Sequence, residues 1–174
     1  MSAKNVTIRP ATPADASIMA EVKKRSWEVA YKDIVPESYI KERHKNNLLR
    51  TRTEQMLNDE YHKQFQYVIL LDDVIVGVMS VAPAHGDDAD DAIYDLQAIY
   101  LHPDYYRQGI GSTAMEFAFD IARKLNKTAM ILWVFKDNIN SINFYKKNGF
   151  VPDGKTRILE YGKPLNAIRM RKEL

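Results

Sequence analysis

The 174-residue chain contains no cysteine. That excludes a disulfide scaffold, a cysteine-based zinc site and a thiol nucleophile. No apolar run approaches the roughly 18 residues needed to span a bilayer, and no basic-then-apolar leader opens the sequence. These absences predict a soluble, cytoplasmic protein with no membrane partner. Charge of one sign is also scarce, because 25 Lys and Arg against 23 Asp and Glu leave a net charge of +2. With so small an excess and no recognition motif, a nucleic-acid partner is not expected. Internal repeats and low-complexity linkers are absent too. What is present suits one folded unit over residues 1–174, since 45% of the residues are hydrophobic and the length fits one domain.

The small net charge conceals an asymmetry. Residues 1–71 carry 12 basic and 9 acidic groups. Asp72 to Asp104 carry eight Asp and no Lys or Arg. Residues 105–174 carry 13 basic and 6 acidic groups. An acidic middle beside a basic C-terminal part is compatible with two functional surfaces of opposite sign, or with loops that charge merely solvates.

Hydrophobic periodicity divides the chain into a mixed α/β plan. Val6–Arg9 is β-rich. Thr12, Pro13 and Asp15 form a helix start, with a capping hydroxyl, a proline at the first helical position and a capping acid. That helix is expected to run to Ala30 with Ile18, Met19, Val22, Trp27 and Ala30 inward. Further helices are expected from Pro36 and over Asn47–Glu60, the latter with Leu48, Leu49, Met56 and Leu57 inward. Gln66–Leu71 and Val74–Val81 are β-branched runs separated by Asp72-Asp73, a two-residue hairpin signal. After a polar loop holding Asp87, Asp88, Asp90 and Asp91 come a strand (Ala92–Leu101) and a helix (Gly111–Leu125). That helix turns Met115, Phe119, Ala122 and Leu125 to one side. A buried strand (Thr128–Phe135), a short helix (Asn140–Lys147) and two extended segments from Gly149 and over Ala167–Arg171 complete the order β-α-α-α-β-β-β-α-β-α-β-β.

The most informative stretch runs from Ile99 to Ser112, where a strand leads through a loop into a glycine-spaced helix start. N–H groups of a first helical turn are unsatisfied, and the helix dipole favours an anion there. Gly109 and Gly111 let the backbone approach a diphosphate. With Ala114 they also satisfy the G-x-G-x-x-A dinucleotide pattern, but that pattern belongs at a first strand–helix turn, and here three helices and a hairpin precede it. A P-loop is excluded because no Gly-Lys-Ser/Thr follows.

A second motif, Asn138-x-x-Ser141-x-x-x-Tyr145-x-x-x-Gly149-Phe150, lies 27 residues after Gly111. Together the two resemble the diphosphate loop and the Asn…Tyr…Gly-Phe helix of the GNAT superfamily of acetyl-CoA-dependent N-acetyltransferases. The resemblance is strong over residues 64–151 and holds only in element order outside them. It implies a mixed, mostly antiparallel central sheet flanked by helices, and acetyl-CoA as co-substrate without a metal. It further implies an amine acceptor, either a small molecule or a peptide. Dimers are common in that family, and a homodimer is compatible with the resemblance. Backbone of Ile99, Tyr100 and Leu101 would pair with the pantetheine arm, one of their N–H groups serving the developing oxyanion. Arg107, Gln108, Gly109, Ile110, Gly111 and Ser112 would hold the diphosphate. Asn138 and Ser141 would meet the pantetheine, and Tyr145 would protonate the leaving thiolate. Two positions depart from the family pattern. Tyr106 stands where Gln or Arg is usual, and Trp133 stands where some members, including ribosomal-protein acetylators, carry a Glu base.

An acceptor amine with a pKa of about 10.4 is mostly protonated at neutral pH, so a base is needed. The family places one on the central strand, four residues before the Ile-Tyr-Leu segment, which here is Asp95. As a shorter Asp, it acts directly or through a bridging water. Strand alternation puts it on one face with Gln97, Ile99 and Leu101. At the acceptor end, the resemblance points to Trp27 and Tyr31 with Glu28, Asp33 and Glu37, opposite Tyr161. Aromatics with acids there could clamp a cation. His44, His62, His85 and His102 lack metal-ligand spacing, and the four-Asp loop lacks that of an EF-hand and is expected to be flexible and solvated. A CoA-binding domain without catalysis and a dinucleotide-binding protein are the competing assignments.

Overall fold

Seven strands lie in one sheet of order β1-β2-β3-β4-β5-β7-β6, in a computed structural model that describes residues 5–174. The strands are β1 (Val6–Pro10), β2 (Gln66–Leu71), β3 (Val74–Pro83), β4 (Ile93–Leu101), β5 (Ala129–Phe135), β6 (Val151–Glu160) and β7 (Pro164–Glu173). The helices are α1 (Ala16–Ala30), α2 (Glu37–Arg43), α3 (Leu48–Asn58), α4 (Ile110–Lys124) and α5 (Ile139–Lys147). The order is the one expected from periodicity. Every neighbouring pair is antiparallel except β4 and β5, which α4 connects as a parallel crossover. No helix among the described residues is long and apolar enough to cross a membrane.

The β2–β3 hairpin turns on Asp72 and Asp73, both with positive φ, 48° and 68°, and Leu71 pairs with Val74 across it. Two left-handed residues in a two-residue loop match the right-handed twist of the strands, and Asp tolerates that conformation.

The sheet separates two apolar layers. On one side, α4 packs Met115, Phe119 and Ala122 against Ile69, Met79, Leu96, Met130 and Leu132. On the other, α1 and α3 pack Met19, Val22 and Leu57 against Val68, Leu70 and Val78. The apolar stripes are narrower than their sequences suggest. Ile18, Leu48 and Leu125 are exposed, while Thr53 and Ser26 are buried in their helices. Thr53 manages this by donating to the Leu49 carbonyl at 2.8 Å, a bond within its own helix.

The start of α1 is locked by Asp15. Its carboxylate accepts from the Arg9 guanidinium at 2.7 and 2.9 Å and from the Thr12 N–H and hydroxyl at 2.8 and 3.0 Å. The Arg9 bonds, with help from Thr12 and against the opposing effect of burial, hold this carboxyl at about 2. The stabilisation is therefore present above about pH 4, the unfolded value, and is lost as the pH falls toward the folded value. Because Arg9 is 43% exposed, solvent screening reduces the pair to about 1 kcal/mol. Asp15→Asn is expected to lower urea-measured stability by about that amount at pH 7, with the difference from wild type closing by about pH 2.

Candidate active site

The β4–β5 ladder is short. Register pairs join Ile93 to Ala129, Tyr94 to Met130 and Asp95 to Ile131, and none follows. Beyond Asp95 the two strands part, and the β4 edge from Gln97 to Leu101 faces β5 without a ladder partner. A bulge sits at the same place. On β3, Ser80 and Val81 are consecutive, but their partners Ala98 and Leu96 skip Gln97.

This bulge corrects one expectation. Tyr94 and Leu96 belong to the α4-side core, yet so do Ile99 and Leu101. The extra residue shifts the alternation by one, so Asp95 does not share a face with Ile99 and Leu101. It lies on the opposite face, with Gln97 and with Tyr100, whose ring packs in the α1-side layers. Asp95 is buried at 9% exposure. Burial pushes its carboxyl up to about 6, against the lowering influence of His85 and Arg157 and with a smaller push from Asp88.

Tyrosines on α1 and α5 lie near Tyr100 of β4. Tyr145, on α5, is half-buried, with its ring 5.4 Å from Phe144 and 6.1 Å from Phe150. Burial raises its hydroxyl well above the ordinary tyrosine value, and Tyr100 adds to the effect. Tyr31, on α1, is raised by burial and then by Tyr100, Tyr145 and Tyr161. Helices on opposite faces of the sheet thus bring phenols toward one gap, with Tyr100 of β4 between them.

The glycine loop stands at the α4 end of this opening. Arg107 and Gly109 have φ of 58° and 82°, and α4 begins at Ile110. Arg107, Gln108 and Gly109 are exposed, Ser112 is half-buried, and no atom lies within 4 Å of where a Cβ on Gly109 would stand. The first turn of α4 leaves N–H groups without partners within the helix, next to this exposed loop. A Cβ on Gly111 would come 3.0 Å from the Phe144 ring, so this glycine lets α4 and α5 approach closely. Tyr106, at the departure from the family pattern, reaches the buried Ser26 hydroxyl of α1 at 3.3 Å. Asn138 caps α5 by accepting from the Ser141 N–H at 3.2 Å, which leaves its amide N–H₂ as a donor.

On the α1 face, Trp27 and Tyr31 sit in an aromatic group with Phe135, Tyr39 and Tyr161. Ring centroids are 4.8 Å apart for Trp27–Tyr31, 5.7 Å for Trp27–Tyr161 and 5.3 Å for Phe135–Tyr161. The acids expected beside them lie elsewhere. Glu28, Asp33 and Glu37 line a groove of about 750 Å³ between α1 and α2, with Lys24, Lys32, Lys41 and His44. Glu28 pairs with Arg25 and Glu37 with Lys41. Arginines instead accompany the aromatics. Arg43 stacks 4.5 Å over Trp27 and Arg157 stacks 4.1 Å over Trp133. Neither arginine was found from the sequence, because both owe their place to contacts between distant elements.

The four-Asp loop is also not uniformly solvated. Asp88 accepts from Trp133 Nε1 at 2.7 Å and from the Arg169 guanidinium, which also bonds Asp153 at 2.6 Å. Burial opposes ionisation of Asp88, but these donors outweigh it and hold its carboxyl below the usual range. Trp133 thus ties the β3–β4 loop to the sheet. Asp88→Ala is expected to cost about 2 kcal/mol, since it strips an enclosed arginine of one of two carboxylates. Asp87→Ala and Asp91→Ala, both at exposed positions, should stay within about 0.5 kcal/mol. Chemical denaturation of the three variants checks this. Among the described residues no group of three His, Asp or Glu could hold a metal ion.

Comparison with known proteins gives the family. The Acetyltransferase (GNAT) family profile matches residues 26–150. The chain is 28% identical over 164 residues to spermidine N(1)-acetyltransferase of Thermoplasma acidophilum, covering 90% of this chain and 96% of that one. It is 29% identical over 126 residues to peptidyl-lysine N-acetyltransferase YjaB of Salmonella typhimurium, covering 72% and 77%. The fold superposes with a TM-score of 0.74 on PaiA N-acetyltransferase of Thermoplasma acidophilum in complex with coenzyme A, at 24% identity, covering 98% and 99%. The parted β4–β5 pair, the glycine loop opening α4 and the Asn-Tyr helix therefore sit in a chain that belongs to the GNAT family of acetyltransferases, and the protein is an acyltransferase.

Proposed function

We propose that the protein transfers the acetyl group of acetyl-CoA to a primary amine by direct attack within a ternary complex. The observation that carries this is the end of the β4–β5 ladder at the Asp95–Ile131 pair, supported by Tyr31 and Tyr145, which both lie near Tyr100 on the free part of β4. A thioester lying along the free β4 edge is reachable from the α1 face by an amine. The α4 face, with its glycine loop, suits the diphosphate. The spermidine and peptidyl-lysine acetyltransferases, both similar to this chain, are named for substrates with primary amines.

In this mechanism the amine nitrogen bonds to the carbonyl carbon as the C–S bond breaks. The amine's proton passes to Asp95, directly or through one water. Charge developing on the carbonyl oxygen is met by an N–H among Ile99, Tyr100 and Leu101. Tyr145, protonated at neutral pH because burial raises its hydroxyl, gives its proton to the departing thiolate. Asn138 and Ser141 hold the pantetheine, and Arg107 to Ser112 the diphosphate. Trp27 and Tyr31 shape the acceptor side.

Acetyl-CoA at about 100 times its Kd is expected to stabilise the fold by about 2.7 kcal/mol in a thermal melt. NAD at equal concentration is expected to give no shift, because Gly109 follows the fourth strand of the chain, outside a dinucleotide-type first turn. A shift with NAD and none with acetyl-CoA reverses the assignment.

A further inference from the structure

The acceptor face carries two arginines without an ion-pair partner among the described residues. Arg43 lies over Trp27 and Arg157 over Trp133. Among the described residues neither makes an ion pair, whereas the neighbouring Arg169 is held by Asp88 and Asp153. Arg43 Nε is buried without any hydrogen-bond partner, as is Nε2 of the adjacent His44. A buried guanidinium N–H with no acceptor is costly, and a ligand that supplies one recovers that cost.

The rings beneath the two guanidiniums belong to one cluster, in which Trp27 and Trp133 pack with Tyr161. Both guanidiniums lower the Tyr161 hydroxyl against the larger upward push of burial, and Tyr161 packs against Trp27, Tyr39 and Phe135. Arg157 also acts on Asp95, the acid on this face of β4. Lys23, four residues before Trp27 on α1, registers the same field, since burial and then the Arg43 charge push its amine down to about 8. The floor between the arginines is aromatic; Asp95 and the already paired Asp88 are acids on the Arg157 side, while Glu28, Asp33 and Glu37 line the α1–α2 groove.

We infer that the acceptor is an amine that also carries a carboxylate, held by Arg43 and Arg157 beside Tyr161. Arginine donates paired N–H groups in the plane a carboxylate requires, and stacking on Trp27 and Trp133 fixes the orientation of each fork. The same charges disfavour an ammonium nearby, which helps the acceptor amine lose its proton before attack. The aromatic walls suit an apolar side chain on the acceptor. This inference rests on the transfer reaction proposed above, and it separates this chain from a polyamine acetyltransferase at the level of the acceptor.

The test compares L-phenylalanine and L-leucine with their carboxamides and with spermidine. Turnover with acetyl-CoA and calorimetric binding in the presence of CoA are measured separately. The amino acids are expected to exceed their carboxamides in kcat/KM by roughly tenfold or more. In Arg43→Met and Arg157→Met, which keep an apolar stem over each ring, that ratio is expected to collapse toward one. A variant that merely disturbs the fold lowers both members of a pair and leaves the ratio intact, which counts against the assignment. Preference for spermidine or for the carboxamides overturns it, as does failure of the amino acids to bind. Carboxylate binding that Arg157→Met weakens, with no acetyl transfer to any amine, sustains the anion site and overturns the transfer reaction instead.

Discussion

Replacing Asp95 by Asn is expected to make the protein more stable and nearly inactive at once. The folded carboxyl is held at about 6, above the unfolded value of about 3.9. A group with a raised folded pKa favours the folded state fully below its unfolded pKa and loses that contribution as the pH rises through the folded one. At pH 7 the wild type therefore carries a buried carboxylate that burial disfavours. Asn removes that charge, and a gain of about 2 kcal/mol is expected at pH 7, shrinking to nothing near pH 4. For catalysis the sign is opposite. A base must be unprotonated, so kcat/KM for the amine should rise with pH through about 6 in the wild type. In Asp95→Asn that limb should vanish and the rate should fall by about 10²-fold. A variant that loses stability, or keeps the acid limb, removes Asp95 from the mechanism.

Tyr145→Phe is the second large effect. It deletes one oxygen from a half-buried ring that keeps its contacts with Phe144 and Phe150. The fold should survive, and the KM for acetyl-CoA should change little. The kcat should fall by about 10²-fold, because the thiolate then leaves without its proton donor. Tyrosine is a weaker acid than a free thiol, but a thiolate in the same buried gap is raised by the same desolvation, which narrows the difference. A more acidic thiol ester, which needs no protonation on leaving, should narrow the gap between variant and wild type. An equal loss with both esters assigns Tyr145 to structure.

These two residues differ in how visible they were in the sequence. Tyr145 lies in a motif whose spacing is local, and a helix preserves local spacing. Asp95 was placed by its distance along a strand, and its neighbours on that face were misjudged. A bulge arises from the pairing of two strands and leaves no mark in the period of one. The hairpin at Asp72-Asp73 was legible for the converse reason, since a two-residue turn between β-branched runs carries its own geometry.

The acceptor face was the least legible part. The four acids of the β3–β4 loop look alike in sequence, yet Asp88 alone is claimed by Trp133 and Arg169, 45 and 81 residues away. Glu28, Asp33 and Glu37 surround the aromatics in sequence and turn toward another groove in space. Arg43 enters only once α2 is folded against α1, and Arg157 only once β7 has joined β6 to β5. The opening charge asymmetry gains a more specific form. The basic C-terminal part contributes Arg157 to the acceptor side as well as the loop that suits CoA. The acidic middle contributes a buried carboxyl, Asp95, and a structural anchor, Asp88.

The most direct measurement of the account is a single one. Acetyl-CoA is incubated with the wild-type enzyme and a panel of amines, and acetylated product is quantified by mass against CoA released. The account predicts one acetyl group on nitrogen for each CoA formed, and loss of both signals together in Tyr145→Phe and Asp95→Asn. Acetyl-CoA that binds and is never turned over with any amine, or turnover unchanged in both variants, contradicts it.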